Sequence, residues 1–293
     1  MDIVIGGNLV RGDLIVSAVI RSTLEPIPLT LECTLRVDST TTLSEGDSVV
    51  AGRDNVEFQV IKTHDHNNVS AAQGSRSYAT FSFIAVIKAC AGVCFQRKTA
   101  VIMSSTSLNG IYRACGSSVQ VNADFTINQF ACYTGNVPSF AVAQVLQEEG
   151  GVVFWSGQQL QFIRLDDLMK QAPVKKLITD TTTDLQSAFL ERHEVPFFYS
   201  TDNSGNFAYG NRTKTRAAFY MPRQDARTLA NMTKVLIMRK QFKSPYAPAI
   251  NAGQVITVVD TPYAVVTAAH AYQTGTDGSG ANAYSKFWLG SLQ

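Results

Sequence analysis

The feature that most restricts this chain is the run Ile27–Val37, in which apolar and polar side chains alternate with period two. Only extended backbone sends successive side chains to opposite faces, so the segment must be a β-strand with one face buried and the other wet. Pro26 and Pro28 carry no amide donor, which places them at the strand's start or on an edge. Val56–Ile61 reads as a second strand, and the polar stretch His66–Arg76 reads as a loop.

Composition sets the scale. The chain has 293 residues, 45% of them hydrophobic and 16% charged, enough apolar material for more than one core and too much for a disordered chain. A net charge of +2 is too small to imply nucleic-acid or membrane binding by itself. The cysteines Cys33, Cys90, Cys94, Cys115 and Cys132 are odd in number and irregular in spacing, which fits reduced thiols in a protein assembled in the cytosol. Cys90 and Cys94 have the spacing of two zinc ligands, but no His or second Cys pair lies near them, so small buried hydrophobes are expected. The start Met1–Val4 shows no signal peptide, and no apolar run reaches the ~18 residues of a membrane helix, so no membrane insertion is expected.

Three parts follow along the chain. Residues 1–95 read mainly as strands. Residues 96–175 mix types. Ser107–Cys115 has helical spacing (Leu108, Ile111, Tyr112, Cys115), Ser107 as a cap and Gly116 as a stop. Pro138–Glu149 repeats the pattern with Val142, Val145 and Leu146 on one face, ending at Gly150-Gly151. A hairpin follows, Val152–Trp155 and Leu160–Ile163 around a Ser156-Gly157 turn, with one more short helix over Asp166–Gln171 before Pro173. Residues 176–293 return to strands, with loops at Ser200–Gly210 and Gln273–Asn282. Thr228–Met238 fits either a helix or a buried strand.

The two strand-rich parts echo each other. Gly46-Asp47-Ser48-Val49-Val50 precedes Phe58–His64, and Gly253-Gln254-Val255-Ile256 precedes Tyr263–His270. Either any two hairpins look like this, or one chain holds two related β-barrels. The fold expectation is therefore α+β, mostly β: a β-barrel domain over 1–95, a small α+β module over 96–175 and a second β-barrel domain over 176–293.

No specific catalytic constellation is present. His64-Asp65-His66 puts two imidazoles on one strand face as a possible metal pair, with a solvated turn as the alternative; the other histidines are His193 and His270. Glu148-Glu149 at a helix end would need a partner carboxylate ~5–10 Å away, and Asp166 and Asp167 are the candidates; exposed helix-end carboxylates are the alternative. Trp155 beside Gln158, Gln159 and Gln161 is either a sugar platform or a core aromatic. Nine cations (Arg212, Lys214, Arg216, Arg223, Arg227, Lys234, Arg239, Lys240, Lys243) stand against one acid, Asp225. They read as a face toward an acidic partner or passing DNA, or as a solvated face. No catalytic, cofactor-binding or metal-binding residue is assigned, and no cofactor is expected.

The segment Phe130–Ser139 through Val145–Trp155 resembles the tail hub proteins of contractile-tailed phages and the hub part of type VI secretion spikes. The order is a strand, a helix ending in an acidic pair and Gly, then a hairpin. Leu24–Thr30 and the closing Tyr284–Gly290 also look like such proteins. The resemblance implies a structural virion protein of the tail tip or baseplate, assembled in the host cytoplasm and without enzymatic activity. It implies a homotrimer of two-barrel subunits in a pseudo-sixfold ring, joining the tail tube protein to the central spike protein among other baseplate proteins. The lumen would pass DNA or tape-measure protein without sequence-specific binding. A tail-associated peptidoglycan hydrolase or a carbohydrate-binding tail-tip module is the alternative.

Overall fold

The computed structural model describes residues 1–37, 43–71, 77–185, 196–202, 204–210, 217–274 and 280–293. The first part builds β1 (Ile3–Ile5), β2 (Asn8–Leu9), β3 (Ile15–Thr23), β4 (Leu29–Val37), β5 (Ser48–Ala51), β6 (Val56–Ala71) and β7 (Ser77–Ile87). β4 alternates as its sequence demands: Leu29, Leu31, Cys33 and Leu35 are buried, and Thr30, Glu32 and Thr34 are not. Pro26 and Pro28 precede the strand. The expected loop at His66–Arg76 is corrected. Pairing continues to Ala71 opposite Ser77, leaving only 72–76 outside the described residues. A long partner strand overrides the polar composition that reads as a loop.

The middle part holds β8 (Val101–Ser107), α1 (Leu108–Ala114), β9 (Val121–Asn122), β10 (Thr126–Cys132), α2 (Pro138–Glu148), β11 (Gly151–Trp155), β12 (Leu160–Arg164) and the single turn α3 (Leu165–Leu168). α1 starts where Ser107 Oγ accepts from the Gly110 amide, and Asp124 accepts from the amides of Leu108 and Asn109. Tyr112 is fully buried, and its hydroxyl donates to the Pro26 carbonyl at 2.8 Å. One continuous core therefore runs from Ile3 to Phe162, joining the first sheet to this module.

The last part contains β13 (Lys175–Leu177), β14 (Thr183–Asp184), β15 (Phe197–Thr201), β16 (Phe207–Tyr209), β17 (Ala218–Tyr220), α4 (Ala226–Met232), β18 (Leu236–Pro245), β19 (Val255–Val258), β20 (Thr261–Gln273) and β21 (Asn282–Leu292). The open segment 228–238 resolves into the end of α4 and the start of β18. Ser200–Gly210, expected as a loop, is the hairpin β15–β16, its turn held by Asp202 accepting from the amides of Ser204 and Asn206. Short strands with polar tips carry too little alternation to separate them from loops.

The long strands form one open sheet in the order β14-β18-β21-β20-β3-β4-β7-β6-β5-β1-β2, with β19 attached along β20 and β13 along β19. The expectation of two barrels is corrected to this extent: among the described residues no sheet closes, and the two strand-rich parts are successive arcs of one sheet. The echo between them is a repeat of hydrogen bonds. The Gly46 amide donates to the Val60 carbonyl and the Val60 amide to the Asp47 carbonyl; Gly253, Val265 and Gln254 make the same two bonds. A bulge follows at the same place, between Val60 and Lys62 and between Val265 and Thr267. β5, β6, β7 and β4 thus match β19, β20, β21 and β18. The histidines that suggested the echo are not equivalent. His64 aligns with Ala269 and stands exposed, whereas His270 aligns with Asp65 and is buried.

A second core lies under the later arc: Phe242, Ile256, Val258, Val265, Ala268, Phe287 and Leu289. His270 borders it edge-on to Phe287 at 6.0 Å, with Nδ1 2.8 Å from Ser285 Oγ. Burial pushes this imidazole from 6.5 down to about 4. An unfolded histidine takes up a proton near 6.5 while the folded one stays neutral until about 4. Its contribution is therefore whole above pH 6.5 and is lost as the pH falls toward 4, about 3 kcal/mol in all. His270→Gln should flatten that part of the stability–pH curve in urea unfolding. Parallel wild-type and variant curves between pH 7 and 4 would contradict it.

Candidate functional site

Period-two strands with a packed core on one side present a continuous second face on the other. Registers carry single rows across both arcs. One row runs Lys243, Lys286, Ala269, Arg21, Thr30, and a second runs Tyr284, Ala271, Val19, Glu32, Ile84, Lys62. A third, Gln273, Ser17, Thr34, Ser82, His64, is wholly polar. The face is basic: Arg21, Lys62, Lys243 and Lys286 stand against Glu32, which lies 3.2 Å from Arg21. Two of the ammonium groups are held on aromatic faces, Lys243 Nζ 3.7 Å from the Tyr284 ring centroid and Lys286 Nζ 4.7 Å from Trp288. Such stacking fixes a cation without removing its charge.

The expected basic run is dispersed. Arg212, Lys214 and Arg216 lie outside the described residues. Arg227 pairs with Glu149 at 3.2 Å, Lys234 with Asp166 at 2.6 Å, and Lys240 with Asp180 and Asp184, both at 2.7 Å. Among the described cations of this run, only Lys243 joins the basic face. Sequence proximity had grouped cations that the fold sends to different elements, and it missed Arg21, Lys62 and Lys286. Their shared face depends on the two bulges, which reset strand parity and leave no mark in composition.

The acidic pair is half-buried rather than exposed. It lines a polar cleft of about 500 Å³ between β10, α2 and the start of α4. Glu148 contacts Gln144 at 3.1 Å and Gln224 at 3.2 Å, and burial raises its carboxyl above the usual range. Glu149 is bound by Arg164 at 2.8 Å and by Arg227. Asp166 and Asp167 are engaged by Lys234 and Lys170 instead. The arrangement ties α2 to α4; Asn231 Nδ2 also donates to the Glu148 carbonyl.

All five cysteines are unpaired. Burial raises Cys33 and Cys90 to about 12, so neither offers a thiolate at neutral pH. No group of three or more potential metal ligands occurs among the described residues. His193 and the side chain of His66 lie outside them. Trp155 packs against the main core and is no exposed platform. The exposed aromatic surface is elsewhere, on β15–β17, where Tyr199 lies 5.4 Å from Tyr220 and 6.1 Å from Phe207, which is 61% exposed. No helix among the described residues is long and apolar enough to cross a membrane.

No protein-family model matches the chain, and no curated protein sequence matches it. Solved structures do. The 43 kDa tail protein of prophage MuSo2 from Shewanella oneidensis is 11% identical, with a TM-score of 0.62 over 98% of this chain and 96% of that one. A tail protein from Neisseria meningitidis MC58 is 10% identical, with a TM-score of 0.66 over 99% and 95%. The E. coli c3393 protein, a component of the type VI secretion system described as similar to the T4 tail proteins gp27 and gp5, is 8% identical. Its TM-score is 0.57 over 99% of this chain and 76% of that one. At such identities the likeness is one of fold, and it extends from end to end of this chain.

Proposed function

We propose that this chain is a structural subunit of a phage tail, the hub of the baseplate, and that it works by assembly rather than catalysis. Three copies form a ring with pseudo-sixfold symmetry that joins the tail tube above to the central spike below. Residues 1–95 and 176–293 supply the two similar units of each copy, and residues 96–175 brace them. The ring is part of the virion at the tail tip and is assembled in the host cytoplasm.

The observation that carries this reading is the repeated ladder, with its matched glycine bonds and matched bulge. A chain with two like arcs shows a sixfold partner two similar surfaces and a threefold partner one, so three copies serve both. The fold shared with tail proteins over nearly the whole chain supports the same reading. Barrel closure then belongs to the ring, and the basic face of the sheet faces its lumen, where DNA or tape-measure protein passes. Fixed lysines without base-reading geometry suit contact with a moving polyanion, because phosphate attraction carries no sequence information.

The test is stoichiometry in assembled tails by electron microscopy. Three copies per tail, with like arcs alternating around six positions, are expected. Six copies in a true sixfold ring would make the chain a tube protein, and one copy would remove the ring.

A further inference from the structure

We infer that the cleft beside β10 takes an extended basic segment of a partner protein, which adds to β10 as a further strand and sets a lysine or arginine on Glu148. The inference concerns the middle module and stands apart from the ring reading.

The cleft follows a strand edge. Seven consecutive residues of β10 and its lead-in, Phe125–Ala131, line it. Neighbours in a strand point to opposite faces, so a surface that meets every residue in turn runs along the edge and not over a face. The opposite edge of β10 carries the pairing with β8, from Thr126 against Ser107 to Cys132 against Val101. On the cleft side β10 pairs with no strand among the described residues. The edge is also unguarded. Thr126–Cys132 holds neither a proline nor a charge, and those are the devices that keep strand edges from pairing. Free amides and carbonyls there are a template for one more strand. Seven residues of extended chain span roughly 20 Å. A volume of about 500 Å³ is on the scale of a ligand or one short chain, and not of a docking sheet.

Specificity comes from the other wall. Ala141, Gln144, Val145 and Glu148 follow one face of α2 and line the same cleft. Glu148 is half-buried, and the groups that reach its Oε1 are the neutral amides of Gln144 and Gln224. No cation pairs with it among the described residues, while Glu149 beside it takes both Arg164 and Arg227. One carboxylate of the pair is thus neutralised, and the other faces the cleft without a counter-charge. An ammonium or guanidinium brought here would meet a partly desolvated carboxylate at the C-terminal end of a helix, and both favour a cation. Arg223 also lines the cleft, but it stands exposed, so water and salt screen it. Main-chain bonds along β10 supply affinity for an extended chain, and Glu148 selects a basic one.

The test is fluorescence anisotropy of the full chain with a labelled peptide, acetyl-Thr-Val-Thr-Lys-Thr-Val-Thr-amide. Expected is saturable binding that weakens by about tenfold or more when norleucine replaces the lysine. Methylating one alternate set of peptide nitrogens should abolish binding, and methylating the other set should leave it, because a strand offers only every second amide to its neighbour. Glu148→Gln can still accept from Gln144 and Gln224, and it should bring the lysine peptide down to the norleucine level. Glu45→Gln, at an exposed acid of the first arc, should change nothing. Absence of saturable binding, equal affinity of the lysine and norleucine peptides, or equal effects of the two methylation sets overturns the inference. Binding of a chitin hexasaccharide that Glu148→Gln abolishes, with none of the peptide, overturns it in favour of a glycan.

Discussion

Replacing Gly92 with alanine is expected to destabilise the chain by about 3 kcal/mol or more, lowering its urea midpoint further than any neighbouring surface change. Gly92 lies in the short 3-10 helix Lys88–Val93 that follows β7. A Cβ there would sit 2.4 Å from the Gly116 carbonyl carbon, 2.6 Å from the Ser117 nitrogen and 2.8 Å from the Cys115 oxygen. All three are backbone atoms at the end of α1, so no side-chain rotation relieves the clash. The first sheet would have to part from the helix it rests on. Gly116→Ala is the control. Its φ is +92° but nothing lies within 4 Å, so only conformational strain of about 1 kcal/mol is added. Equal midpoints for the two variants would show that close approach is not what holds this joint.

Phe287→Ala should remove about 3–5 kcal/mol. The ring is fully buried, lies 5.0 Å from Phe242, and sits on the core side of β21 in register with Ala268. Its loss hollows the second core. Lys286, one residue earlier, projects to the opposite face, and Lys286→Ala should change stability by no more than about 1 kcal/mol. Thermal unfolding of both variants measures the contrast. A small loss at Phe287 would mean the core collapses to fill the gap, and a large one at Lys286 would mean that the two faces have been assigned the wrong way round.

Local structure was legible wherever the signal was local. The alternation of β4, the Ser107 cap, the buried face of α2 and the hairpin around Gly157 all follow from spacing and from residues that tolerate few conformations. The repeat was legible through Gly46 and Gly253, whose φ values of +97° and +89° need glycine. Its register was not, because a bulge adds a residue without changing composition, and the two histidines suggested an alignment that bulge geometry contradicts. The polar face depends on that register and on seven strands scattered between Ser17 and Trp288, so no window of sequence displays it. The clustering of cations from Arg212 to Lys243 was real in sequence, but ion pairs across the fold divide it.

The seam between β3 and β20 has a consequence for synthesis. β3 leaves the ribosome well before its partner β20, which emerges some 240 residues later. At roughly 5–20 residues per second that interval is on the order of ten to fifty seconds. Through it, the newborn first arc holds β4 on one side of β3 and nothing from its own chain on the other. Its neighbours on a polysome carry the same open strand at high local concentration. The half made first is thus the half that must be kept apart from its siblings, and release from that danger comes only once β20 has been translated.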